Sequence, residues 1–138
     1  MNKKLFLDTN FWIRYVLQED TVQFSHVLNL VKQIEDGGYL PYISAVVLLE
    51  IFFVLSRIYR KSEFDIDRFV NKILITRNLT VIDKTNFVKA FKWHQKLGIR
   101  IADCLIASSV PPDCRLVTWD KDFTKIKDIK TTTPDKLI

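Results

Sequence analysis

Glycine is scarce in this sequence, with three residues in 138, and proline contributes only four. That excludes a collagen-like or glycine-rich linker chain, and neither GxGxxG nor GxxxxGK[ST] can be written anywhere in it. It also disfavours an all-β fold built on many tight turns. Cysteine and histidine number two each. Cys104 and Cys114 do not form CxxC, so a disulfide scaffold and a zinc knuckle are both excluded. They read as reduced thiols of a cytoplasmic protein, Cys104 serving as a small hydrophobe. His26 and His94 fall in helical patterns and read as ordinary structural or surface residues. No Cys–His or GxSxG arrangement supports nucleophilic catalysis. No apolar run approaches the ~18 residues of a membrane span. The basic start MNKKLFL imitates a signal peptide, but Asp8 and Arg14 interrupt its apolar run.

What is present describes a globular domain. Hydrophobic residues make up 48% and charged residues 27%. At this mass, surface scaling anticipates a folded area of about 7,500 Å², so about two-thirds of the extended chain's surface is buried. Composition does not shift along the chain, no repeat or linker is visible, and one domain over residues 1–138 is expected. The net charge of +5 is a mild pointer to a polyanionic partner.

Hydrophobic periodicity alternates between strand and helix. Strands are expected at Lys4 to Leu7, Tyr39 to Ile43, Leu79 to Ile82, Arg115 to Thr118 and Ile129 to Thr132. No element is assigned between Leu7 and Thr21. Helices are expected from Thr21 to Asp36, stopped by Gly37-Gly38, and from a Ser44 cap to about Tyr59. Others should run from Asp65 to about Thr76, from an Asp83 cap to just before Gly98, and from Asp103 to Ser109. This alternation is the signature of an α/β fold with a mostly parallel sheet and helices on both faces.

The placement of a few carboxylates carries the chemistry. Asp8 is the only charged residue between Lys4 and Arg14, Glu50 between Ala45 and Leu55, and Asp103 between Ile101 and Pro112. Each lies in a segment otherwise fit for a core, where a lone ionised carboxylate costs several kcal/mol unless paired or bound to a cation. Asp8 and Asp120 fall at the carboxyl ends of the first and fourth strands, the side on which open α/β sheets build their sites. Glu50 has apolar Val46, Val47, Phe53 and Val54 at helical spacing and should face the protein. Taken singly, these residues have plainer readings. Asp8 could end a strand, Asp103 could cap a helix, Glu50 could pair with an inward cation, and Asp120 and Asp122 could sit in a turn.

Such a cluster cannot stay ionised without a cation, because like charges raise each other's pKa. Oxygen-only ligation favours Mg²⁺ or Mn²⁺ over zinc, and such ions support phosphodiester hydrolysis. The net charge is +5 with five site acids counted in it, so the rest of the chain carries +10, a body suited to a nucleic-acid substrate.

These residues resemble the PIN-domain ribonucleases, in particular the VapC-type toxins of bacterial toxin–antitoxin pairs. The matching segments are LFLDTNFWI, ISAVVLLEIFFVL, IADCLIASS and LVTWDKDF, in the family's order across essentially the whole chain. The resemblance implies a three-layer PIN-like domain with a parallel five-stranded sheet in the order 3-2-1-4-5. It implies a Mg²⁺- or Mn²⁺-dependent endoribonuclease. Asp8, Glu50, Asp103 and Asp120 would be catalytic. Asp8, Glu50 and Asp103 would be the metal-binding acids, Asp8 and Asp103 holding the principal ion, with a fourth acid that is Asp120 by first choice and Asp122 by second. Thr9, Asn10, Ser44 and Thr118 would support the acids by hydrogen bonding, unless they serve only as caps and turn residues. Glu50 would orient or deprotonate the attacking water, giving a 3′-hydroxyl and a 5′-phosphate. A cognate antitoxin, bound near the Glu50 helix or reaching into the site, and a homodimer are the implied partners. Phe11, Trp12, Phe52 and Phe53 would line such a groove, or else belong to the core.

Other readings share the same residues. The chain could be a PIN nuclease of RNA processing or one acting on DNA, or a catalytically silent PIN-fold scaffold. A response-regulator-like domain is disfavoured, because it would cluster its acids near the amino end.

Overall fold

The computed structural model of the chain describes residues 3–19 and 21–137. Five strands form a single all-parallel sheet in the order β3-β2-β1-β4-β5. They are β1 Lys4–Leu7, β2 Leu40–Ser44, β3 Thr80–Ile82, β4 Arg115–Val117 and β5 Lys130–Thr132. The helices are α1 Thr9–Leu17, α2 Val22–Glu35, α3 Ala45–Phe53, α4 Glu63–Leu74, α5 Phe87–Leu97 and α6 Ile101–Ser109. Helix α1 packs against α2, α3 and α4, and α5 packs against α6, which also touches α3. The accessible surface, 7973 Å², is close to the area anticipated from mass. Among the described residues no helix is long and apolar enough to cross a membrane.

The central strands are the most hydrophobic. Leu5, Phe6 and Leu7 of β1 and Leu116 and Val117 of β4 are fully buried, as a strand covered on both faces requires. The outer strands β3 and β5 carry exposed positions. Helix α2 contributes Val27, Leu30, Val31 and Ile34 to the core, and Val22, at its first position, is exposed.

Helix ends follow local chemistry. Asp8 caps α1, Thr21 caps α2, Ser44 caps α3 and Ser62 caps α4. At the end of α2 the Gly38 N–H donates to the Gln33 carbonyl and the Gly37 N–H to that of Ile34. Gly37 takes φ +85° there, which its lack of Cβ allows.

Helix α4 starts and ends two residues before the expected bounds, four strands differ by a residue at an end, and four further differences have a local cause. Residues 9–17, left unassigned, form α1. Asp8 starts it, and Phe11, Trp12, Ile13 and Val16 bury one face of it. The helix expected to reach Tyr59 does so, but its last turn, Val54–Ile58, is π-helical. Helix α5 is capped by Asn86 and not by Asp83, because the Asn86 side chain accepts the Lys89 N–H at 3.1 Å while Ser108 Oγ holds its backbone at 3.0 Å. Helix α6 starts two residues before Asp103, so Asp103 sits inside the first turn. Its carboxylate is engaged by a side chain and not by the helix amides.

Candidate active site

The register of β1 and β4 creates the first half of the site. Leu7 pairs with Val117, so the residues just beyond them, Asp8 and Thr118, come level. The Asp8 N–H donates to the Val117 carbonyl at 3.1 Å and continues the ladder by one step. The Asp8 carboxylate then accepts the Thr9 N–H at 2.7 Å and the Thr118 hydroxyl at 2.7 Å. Thr118 Oγ1 in turn accepts the Asp120 N–H at 3.0 Å. One hydroxyl thus ties the end of β1 to the loop after β4.

Helices α3 and α6 supply the second half. Asp103 is buried and Glu50 partly buried. They are bridged by Arg100, whose Nη2 lies 2.9 Å from Asp103 Oδ1 and 3.2 Å from Glu50 Oε2. Its Nε lies 3.4 Å from Asp103 Oδ2. Arg100 was not among the residues singled out from sequence. Its only signal there is a cation at i−3 to Asp103, just ahead of an apolar helix. A shallow cavity of about 270 Å³ opens beside this bridge, lined by Thr9, Asn10, Glu50, Phe53, Tyr59 and Arg100 among others.

The two halves share one electrostatic environment. Burial pushes the Asp8 carboxyl up to about 6, against the pull of its Thr118 and Thr9 hydrogen bonds, and the charges of Asp103 and Glu50 push the same way. The Asp103 carboxyl is also raised, first by burial, then by Glu50 and Asp120, with Arg100 opposing. Asp8 thus feels the charges of Glu50 and Asp103, and Asp103 those of Glu50 and Asp120.

The remaining candidates divide. Asp120 caps a short 3₁₀ turn, Lys121–Lys125, by accepting the Asp122 N–H at 2.9 Å. Asp122 itself is half-exposed, and its carboxylate pairs with Lys125 at 3.1 Å. Thr9 is buried, and its hydroxyl finds no hydrogen-bond partner among the described residues. Asn10 is exposed at the cavity rim. Ser44 is buried and spends its hydroxyl on capping α3 through the Val47 N–H. Phe11 and Trp12 are core residues, with Trp12 Nε1 donating to the Leu7 carbonyl at 3.2 Å, so they line no groove. Phe52 and Phe53 are exposed. His94 bonds the Ile99 carbonyl at 2.6 Å, a structural contact.

The PIN-domain family matches residues 5–129 of the sequence. The chain belongs to that family. The PIN-domain fold is similar to a chain in the crystal structure of VapBC2 from Rickettsia felis bound to a DNA fragment from their promoter. The TM-score is 0.69 at 20% identity, over 94% of this chain and 98% of that one. It is also similar to a chain in the crystal structure of FitAcB from Neisseria gonorrhoeae, with TM-score 0.61 at 16% identity, over 94% and 97%. None of the curated proteins matches the sequence significantly. The five-stranded order expected from the PIN resemblance is the order observed.

A divalent ion is the group such a site implies. Its potential donors here are all oxygens, namely four carboxylates and the unpartnered Thr9 hydroxyl, which suits a hard cation. Among the described residues no three acidic, histidine or cysteine side chains already form a ligating group. In this structure it is Arg100 that offers positive charge to Glu50 and Asp103.

Proposed function

We propose that this PIN domain is a Mg²⁺- or Mn²⁺-dependent endoribonuclease and the toxin of a toxin–antitoxin pair. One observation carries the reading. Asp8, Glu50, Asp103 and Asp120 are separated by 42, 53 and 17 residues in sequence, yet Thr118 joins Asp8 to the Asp120 loop, Arg100 joins Glu50 to Asp103, and the charges of Glu50 and Asp103 both act on Asp8. Strands β1 and β4 are adjacent, and the chain leaves β1 toward β2 and β4 toward β5, on opposite sides; such a switch point is where open α/β sheets bind ligands.

A bound divalent ion would polarise the phosphodiester and offset charge on the leaving oxygen. Asp8 and Asp103 would hold it, with Asp120 completing the set. Asp122, paired with Lys125, is the second choice. Thr118 fixes the Asp8 carboxylate and the Asp120 loop together, and Thr9 fixes Asp8 through its backbone N–H. Glu50, at the cavity wall, would orient the attacking water and accept its proton, leaving a 3′-hydroxyl and a 5′-phosphate. Asn10, at the rim, would meet the strand being cut. Ser44 supports the site only by holding the amino end of the Glu50 helix.

The toxin reading follows the VapC-type resemblance of the sequence motifs, and the VapBC2 and FitAcB chains share the fold. It also has a surface to work with. Leu49, Phe52 and Phe53 are exposed on α3, beside a cavity of about 570 Å³ that also touches Glu63, Ile66 and Asp67. An antitoxin covering that face would lie against the helix that carries Glu50. A homodimer remains part of the proposal through the family alone.

The test is cleavage of a mixed-sequence single-stranded RNA by the wild type, Asp8→Asn and Asp103→Asn, each with Mn²⁺ and with EDTA. Metal-dependent cutting that both substitutions abolish is the expected result. Equal cutting of single-stranded DNA would move the assignment to a DNA-directed or general nuclease. Cutting that survives in Asp8→Asn would overturn the active-site reading.

A further inference from the structure

Arg100 is placed in a way that neither its helix nor its surface position explains. It is the residue before α6, but its side chain makes no helix-cap hydrogen bond. Its guanidinium instead joins two carboxylates from different helices, Glu50 of α3 and Asp103 of α6. The three groups differ sharply in exposure. The Arg100 side chain is 63% exposed, while those of Glu50 and Asp103 are 15% and 8% exposed. A cation on a long, solvated stem therefore reaches inward to two acids that have little other access to water. It can leave by side-chain rotation alone, without repacking either helix.

The oxygens that Arg100 engages are those a divalent ion would need. Nη2 binds Asp103 Oδ1 and Glu50 Oε2 at once, and Nε is directed at Asp103 Oδ2. An ion held by Asp103 within reach of Glu50 would have to take lone pairs now spent on the guanidinium, and it would stand against a second positive charge. We propose that Arg100 is an internal counter-ion of the metal-free site that is exchanged for the divalent ion, swinging outward when the ion binds. The proposal rests on the reading of these acids as a metal site. Its benefit to the fold is that Glu50 and Asp103 stay together before loading, although their charges repel. Its cost is weaker metal binding, and linkage makes the two effects equal and opposite.

Mn²⁺ binding measured by calorimetry, together with melting temperatures in EDTA and in saturating Mn²⁺, tests the exchange. Wild type, Arg100→Gln and Arg100→Lys would be compared at fixed pH and ionic strength. Arg100→Gln should bind Mn²⁺ about three- to tenfold more tightly, the scale expected for losing two partly exposed pairs. It should melt lower than the wild type in EDTA and level with it in Mn²⁺. A merely structural arginine would lower both melting temperatures alike. Arg100→Lys keeps the charge but loses the fork, and should fall between the other two. Equal or weaker Mn²⁺ binding by Arg100→Gln, with the wild type still binding, would mean that ion and arginine coexist. That result would overturn the exchange and leave the metal-site reading standing. No Mn²⁺ binding by any of the three proteins would overturn the metal-site reading and the exchange with it.

Discussion

Asp8 is the most heavily constrained residue of the site. It caps α1 with one carboxylate oxygen and accepts Thr118 with the other, in a place that pushes its carboxyl up to about 6. An acid whose folded pKa lies above its unfolded value of 3.8 favours the folded state most below the unfolded pKa, and that stabilisation is lost as pH rises through about 6. Without metal, Asp8 should therefore destabilise the protein at pH 8 relative to pH 4, by up to about 3 kcal/mol. Asp8→Asn keeps an acceptor for the Thr9 N–H and removes the charge. Urea melts in EDTA should find it more stable than the wild type at pH 8 by about 1–3 kcal/mol, the gap closing toward pH 4. Thr118→Val should act in the opposite sense. It deprives both the Asp8 carboxylate and the Asp120 amide of a partner, and should cost about 2 kcal/mol at pH 8 in the same assay. The isolated acids of the sequence marked Asp8, Glu50 and Asp103 in advance. Arg100 has no such mark, because a single arginine before a helix looks like any surface cation until its two partners are seen.

Most elements could be read from periodicity, and the exceptions have identifiable causes. Helix α1 is short and follows β1 with a single residue between them, and its signal is Asp8 as a cap followed by Phe11, Trp12 and Val16 on one side. Helix α5 has two plausible caps within four residues, Asp83 and Asn86. The choice falls to Asn86 because Ser108 of α6 anchors its backbone, a contact no local pattern announces. The end of α5 was legible. Gly98 takes φ +70° there, and a Cβ would meet nothing within 4 Å, so the cost of a side chain is purely conformational. Gly98→Ala should lower stability by about 1 kcal/mol in thermal or chemical melts, with the fold unchanged by circular dichroism.

At the level of the whole molecule, Asp8 and the Asp120 loop are tied together through Thr118, and Glu50 and Asp103 through Arg100, in a chain whose net charge is +5. Their mutual repulsion is relieved in part by Arg100 and would be relieved further by a divalent ion. Metal should therefore stabilise the native state by mass action. Mn²⁺ at a hundred times its dissociation constant should add about 2.7 kcal/mol, seen as a rise of several degrees in melting temperature that EDTA reverses. Asp8→Asn and Asp103→Asn should lose most of that rise, because each removes a proposed ligand.

By itself, the sequence determined the α/β class, the five strands, most helix ends and the isolation of three carboxylates in apolar segments. These are local properties, carried by side-chain period, by caps and by the cost of burying a charge. The tertiary structure alone decided which groups meet. The register of β1 against β4 brought Thr118 onto Asp8, and the separate positions of α3 and α6 brought Glu50 and Asp103 onto one guanidinium. It also assigned Phe11 and Trp12 to the core and left Phe52 and Phe53 at the surface. Contacts between residues far apart in sequence depend on chain topology and packing, and neither has a local signature.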